Sequence, residues 1–389
     1  MSKFITIIKI IFQTLKKYYL LFLLFLISLF SLLFDLNSWP KLISSKASLI
    51  INQVTGPSFL ITNPTNLIEK LTSYSLYLAH LSNFKLIEII FSILTLVNIL
   101  LVYKIFKDWF NQYLAFLMTV IVSSSLIYLY QLRFINDFSQ TLIILPFFFI
   151  IKSLLNHRQI ALWKFYLISV LAWLIFLTPT GLFYLIVLIL TSLKNLKYHF
   201  FQLTNLTPKV ILISFNLLFL VFNVIILIAH KSYGLSLIGF NNTKFKLINI
   251  LFTVKNLTIG SQHHSLIMST PLLNIFMLIM LILGLMYSIT SFKHSNRSKT
   301  LISLLLVSLA ITSFNFVAGS IVLISVVYFI ALIGLVYYLQ TWLKQFPYNN
   351  LAKIIAYSLI IILISFSTIY SYREFFVVLR YSHDYLSLL

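Results

Sequence analysis

Residues 18–34 read YYLLFLLFLISLFSLLF. The run carries no charge, and its polar side chains do not alternate with apolar ones. A membrane-crossing helix needs about 20 mostly apolar residues at ~1.5 Å each. Strands of a membrane barrel would alternate lipid-facing and lumen-facing residues. This run is therefore a membrane helix, and it excludes a barrel. Comparable runs recur at roughly 86–103, 112–131, 140–155, 163–178, 180–194, 210–230, 270–292, 300–318, 320–339 and 354–371, with the first at 18–36. The pair 163–178 and 180–194 shares the break Thr178-Pro179-Thr180-Gly181. Read as a hairpin it gives eleven spans; read as one kinked element it gives ten. The expected fold is an all-α polytopic bundle of 10–11 transmembrane helices, a single domain over 1–389.

Composition agrees. Hydrophobic residues are 60% of the 389 and charged residues 9%, against about 25% charged in soluble domains. The chain has no cysteine, which removes disulfides, thiolate nucleophiles and cysteine metal sites. The net charge of +21 does not point to nucleic acid. The Lys and Arg residues are scattered at span ends, with no basic domain to hold a nucleic-acid footprint. Membrane lipids are the partners they fit, through orientation of the spans and attraction to anionic head groups.

Lys3, Lys9, Lys16 and Lys17 before the first apolar run resemble a signal peptide. The run is long, however, and no small-residue cleavage site follows it. It reads as an uncleaved first span, preceded by an amphipathic segment over 4–15. With the N-terminus inside, the inner segments 1–17, 103–111, 152–164, 194–209, 293–300 and 340–353 total 77 residues and hold 17 basic residues. The main outer segments 37–85, 132–139, 231–268 and 372–389 total 113 residues and hold 11. That density difference supports a cytoplasmic N-terminus in a cell (plasma) membrane, and eleven spans put the C-terminus outside. Two outer loops, 37–85 and 231–268, are long. No phosphate-binding loop of the G-x-x-x-x-G-K-[ST] type is present, so the chain is not by itself an ATP-driven pump. No internal repeat is visible.

Acid/base or metal chemistry must draw on seven carboxylates: Asp35, Glu69, Glu88, Asp108, Asp137, Glu374 and Asp384. Asp35 and Asp137 fall at span ends on the same, outer side. Asp137 stands in Arg133-Phe-Ile-Asn-Asp137, where a carboxylate serves as general base or holds a divalent cation such as Mg or Mn. Arg133 has the planar fork for a phosphate. Pairing of Arg133 with Asp137 in a polar turn explains the same residues. Asp35, in Phe34-Asp35-Leu-Asn-Ser-Trp39-Pro40, is a second candidate base or an interfacial cap beside an aromatic anchor. His263 and His264 cannot share a helix face. They read as loop residues or as donors to a phosphate or sugar. Lys244 and Lys246, with Lys231 and Lys255, suit the same loop to an anionic head group. No span interior holds a clear charge in this reading, which weighs against an ion-coupled transporter.

The order of these features resembles the GT-C superfamily of membrane glycosyltransferases, in particular its dolichyl/polyprenyl-phosphate mannosyltransferase-like branch. The likeness runs through Asp35-Leu-Asn-Ser-Trp-Pro40, Ala47-Ser48-Leu49, Leu81-Ser-Asn-Phe-Lys-Leu-Ile-Glu88 and Ser123-Ser-Ser-Leu-Ile-Tyr-Leu-Tyr130-Gln-Leu-Arg133-Phe-Ile-Asn-Asp137. It continues in Thr258-Ile-Gly-Ser-Gln-His263-His264, Pro271 and Leu283-Gly-Leu. The resemblance implies transfer of a sugar from a polyprenyl-phosphate carrier to a cell-envelope acceptor at the outer face. It places Asp137 as base or metal ligand, and Arg133, Lys46, His263, His264, Lys244 and Lys246 near substrate. The chain departs where the family carries an acid pair before Ala: Ser45-Lys46 stands there. Asp35 lies about ten residues early for that role. The departure leaves a non-catalytic lipid-binding or assembly subunit as the alternative, with a lipid or glycan flippase or polymerase behind it. Sugar, acceptor and protein partners are not legible.

Overall fold

The structure is a computed structural model that describes residues 19–20, 23–24, 26–27, 84–125, 128–129, 138–156, 162–176, 178, 180–202, 206–229, 246–258, 271, 273–314 and 316–374. Within them the chain forms eleven α-helices: α1 (Phe84–Trp109), α2 (Gln112–Ser123), α3 (Phe138–Leu155), α4 (Leu162–Phe176), α5 (Gly181–Gln202), α6 (Leu206–Ala229), α7 (Leu247–Thr258), α8 (Ile275–Thr290), α9 (Asn296–Phe314), α10 (Phe316–Gln345) and α11 (Asn350–Arg373). The described positions of the first run are also helical. Leu20 and Leu24 are buried there, while Tyr19, Leu23 and Leu26 are exposed, the one-sided spacing of a helix. The chain is an all-α, multi-pass membrane protein. Four helices (α5, α9, α10 and α11) have described stretches long and apolar enough to cross a bilayer.

The central helix is α10. It contacts α2, α3, α7, α8, α9 and α11, and an 18-residue window within Val322–Gln345 is 89% buried. Bilayer lipid offers no hydrophobic drive for helix pairing, so close backbone approach and shared hydrogen bonds hold such bundles. Both are present. Gly284 of α8 and Gly334 of α10 meet with no room for a side chain: a Cβ on either would stand 2.0 Å from a carbonyl oxygen of the other helix. Nearby, Tyr287 and Tyr337 lie with ring centroids 5.0 Å apart. At the rim, Asn216 of α6 donates to Ser169 Oγ of α4 (3.2 Å) and accepts from Trp173 Nε1 (3.0 Å). These bonds tie a largely lipid-facing helix to the bundle.

Cross-helix contacts fix the up-and-down order. Ser153 Oγ of α3 donates to Asp108 of α1, and Arg297 of α9 donates to the Trp109 carbonyl of α1. These contacts mark one end of the bundle. Ser124 of α2 meets Thr368 of α11 at 3.2 Å, and Asn274 before α8 donates to Ser367 at 2.7 Å. These mark the other. Asn195 of α5 donates to Asn156, just beyond α3, at 2.8 Å. The chain therefore goes out along α4 and returns along α5 to the end where α4 began. α4 and α5 are thus two antiparallel helices, not one kinked element. The connection between them is tight: Gly181 has no space for a Cβ against the Ile175 carbonyl, and Thr180 adopts φ 66°.

Three boundaries differ from expectation. The span read as 112–131 is interrupted: α2 ends at Ser123, and helix is described again at Tyr128 and Leu129, where Leu129 N–H donates to the Ser125 carbonyl at 3.0 Å. Ser123, Ser124 and Ser125 each donate their hydroxyl to the carbonyl three residues back, which competes with helix continuation. α9 ends at Phe314 and α10 starts at Phe316, earlier than the boundary expected near 318–320. The long segment 231–268 contains a helix, α7, that periodicity did not single out.

Candidate functional site

Most of the expected site lies outside the described residues: Asp35, Lys46, Arg133, Asp137, Lys244, His263 and His264. Lys246 is described. It sits exposed just before α7, and its backbone N–H donates to the Ser313 carbonyl near the end of α9 (2.9 Å). Asn249 Nδ2 reaches the same carbonyl at 3.4 Å, and Leu273 N–H closes on the Leu257 carbonyl at 3.1 Å. Residues 246–258 are thus docked on the bundle. Helix α7 buries Thr253 and Leu257 but turns Leu247, Ile248, Leu251 and Val254 outward. A 12-residue helix spans only ~18 Å, too short to cross. Its apolar outer face beside Lys246 and Lys255 is that of an interfacial helix. Ser313 ends α9 at the same end of the bundle where α2 finishes and α3 begins.

The opposite end holds a second, fully described constellation that sequence reasoning missed. A cavity of about 310 Å³ opens among α1, α3 and α9, lined by Asp108, Trp109, Phe149, Lys152, Ser153, Asn156, Asn296, Arg297 and Thr300. Its floor is aromatic. Phe149 stacks on Phe329 of α10 at 5.3 Å and 18°, Trp109 meets Phe149 edge-on at 5.1 Å, and Phe106 packs on Phe329 at 5.1 Å. The Lys152 side chain is 7% exposed, and its ammonium donates to the Thr300 hydroxyl. Thr300 in turn donates to the Asn296 carbonyl at 2.6 Å. At the rim, Arg297 is held by the Trp109 carbonyl (2.8 Å) and lies over the Trp109 and Phe110 rings at 5.8 and 5.9 Å. Asp108 is exposed and accepts from Ser153 at 2.8 Å.

Lys152 was expected at a solvated connection. The structure instead buries it in the last turn of α3. Leu145, Phe148, Phe149 and Leu155 bury the same face of α3 as Lys152, and helical spacing carries the lysine in with them. The available signal was that Lys152 belongs both to the apolar run and to the segment after it. Its meeting with Asp108 and Arg297 is tertiary and has no local trace. Among the described residues no three His, Asp or Glu side chains come together as a metal cage, and the expected ligand Asp137 lies outside them. No protein-family model, curated protein or solved structure matches the chain.

Proposed function

We propose that the chain is a GT-C-like membrane glycosyltransferase. It takes a sugar from a polyprenyl-phosphate carrier at the outer face and passes it to a cell-envelope acceptor. The observation that carries this reading is the docked helix α7, whose outward-facing Leu247, Ile248 and Leu251 stand beside Lys246. An apolar carrier chain needs the first feature and its phosphate needs the second. α2 ends and α3 starts, at Phe138, at the same end of the bundle; Arg133 to Asp137, between them in the chain, lie outside the described residues. In this reading Asp137 is the base or holds a divalent cation, while Arg133 and His263 offset the carrier phosphate. The end rich in Lys and Arg is cytoplasmic by the positive-inside rule.

The test is sugar transfer by purified protein in lipid from a panel of polyprenyl-phosphate sugars, comparing wild type with Asp137→Asn. Transfer that disappears in the variant is the expected result. Undiminished transfer in Asp137→Asn removes the assignment. Ser45-Lys46, standing where the family has its acid pair, favours a second reading. In that reading the chain is a lipid-binding or assembly subunit without chemistry, which binds polyprenyl phosphate and transfers nothing in either form.

A further inference from the structure

We propose that the cavity between α1, α3 and α9 binds a phosphodiester, with its single negative charge held between Lys152 and Arg297. The site lies at the end of the bundle opposite α7, so the proposal does not rest on the glycosyltransferase reading.

Four observations converge. The volume, about 310 Å³, is at the lower end of the ~300–1,000 Å³ of small-ligand sites, large enough for a phosphate and its ester groups. The Lys152 ammonium is buried with a neutral hydroxyl as its partner. A buried cation whose hydrogen-bond partner is neutral is costly, and a bound anion offsets that cost. Arg297 is already oriented by two aromatic faces and one carbonyl. One of its N–H groups is committed to that carbonyl, and the guanidinium carries five donors in a fixed fork suited to phosphate oxygens. Finally, Asn296 and Arg297 lie in the first turn of the 19-residue α9 and Thr300 just after it, and the N-terminal dipole adds positive potential.

Charge balance selects the kind of phosphate. Lys152 and Arg297 bring two positive charges and Asp108 one negative, so the lining carries a net charge of about +1. A phosphodiester monoanion neutralises this. A phosphate monoester or free phosphate, close to doubly charged at neutral pH, over-compensates it and meets Asp108. The diester belongs either to a phospholipid head group, since Lys152 lies within one turn of the end of α3, or to a soluble molecule.

The experiment measures binding to the full-length protein in detergent by thermal shift and by calorimetry. The probes are dihexanoyl phosphatidylglycerol, its deacylated head group glycerophosphoglycerol, and inorganic phosphate. Both diesters bind if the head group suffices, and the short-chain lipid alone binds if the source is membrane lipid. Lys152→Met and Arg297→Gln each weaken that binding by about tenfold or more, as losing one charge-assisted hydrogen bond requires. Lys344→Met, an exposed cation at the same end, changes it little. Lys152→Met keeps the chain length of the buried side chain, and its unfolding transition checks that it folds. Three results overturn the proposal: neither diester binds, both variants bind as wild type does, or inorganic phosphate binds more tightly than either diester.

Discussion

Alanine at the α8–α10 crossing gives a sharp test of how this bundle is held. A Cβ on Gly284 would lie 2.0 Å from the Ile330 oxygen, and one on Gly334 would lie 2.0 Å from the Met280 oxygen. Both obstacles are backbone, so no rotamer relieves them. Ordinary contact begins at 3.4 Å, so the helices must part by about 1.4 Å. Overpacking of this kind costs up to about 3 kcal/mol. Alanine returns at most ~1 kcal/mol of helix propensity, so either single substitution destabilises by about 2 kcal/mol. The double variant is the informative one. A single displacement makes room for both methyls, while the propensity gain comes twice. Gly284→Ala/Gly334→Ala therefore loses about 1 kcal/mol, less than either single change. Equilibrium unfolding of the purified protein in mixed micelles reads all three. A double variant that loses the sum of the singles, about 4 kcal/mol, refutes the shared crossing. Single variants that lose nothing refute the close contact itself.

Other outcomes follow from single contacts. Asn274 is 8% exposed, caps α8 by accepting from Met277 N–H at 2.9 Å, and donates to Ser367. Asn274→Ala lowers stability by about 2 kcal/mol, the cap plus the orphaned hydroxyl, while Asn274→Asp keeps the cap and loses less; thermal unfolding separates them. Lys152→Met leaves ligand-free stability unchanged or raised, because an ammonium leaves an apolar site, whereas Lys152→Ala lowers it by about 2 kcal/mol through lost packing. Asp137→Asn lowers sugar transfer by about 10²–10⁴-fold if Asp137 is the base. The natural absence of cysteine makes single-cysteine mapping direct. An impermeant maleimide added to intact cells is expected to label Lys246→Cys, and to label Tyr348→Cys, 95% exposed between α10 and α11, only after permeabilisation. The reverse pattern inverts the topology.

Spans were legible because each is a local property: 18–34 announces a helix without reference to any other residue. The antiparallel pair α4 and α5 was half legible. Thr178-Pro179-Thr180-Gly181 marks a break, but only the Asn195–Asn156 contact shows that the chain returns. The end of α2 was obscured because three serines are tolerable within an apolar helix. Each gives its hydroxyl to the i−3 carbonyl where α2 is interrupted, and helix is described again at Tyr128 and Leu129. Helix α7 was hidden for a different reason. Leu247, Ile248, Leu251 and Val254 face outward, while its buried side pairs Leu257 with the polar Thr253, so the pattern is partly inverted relative to a soluble amphipathic helix. The cavity was not legible at all, because Asp108, Lys152 and Arg297 are brought together by three helices distant in the chain.

Lys152 bears most on function. Lysine is abundant in this chain, and an exposed lysine at a span end costs little. A buried one is different, since removing an ammonium from water costs several kcal/mol even after relaxation. The surrounding face of α3 shows what packing alone selects: Leu145, Phe148, Phe149 and Leu155, all nearly inaccessible. Leucine or methionine at 152 would complete that face. The hydroxyl of Thr300 cannot balance the charge, and it already donates back to Asn296. A cation kept on a core-facing position, beside an oriented guanidinium and a cavity, is accounted for by an anion that occupies the space. Calorimetry with the two diesters is therefore also a test of why the lysine is there.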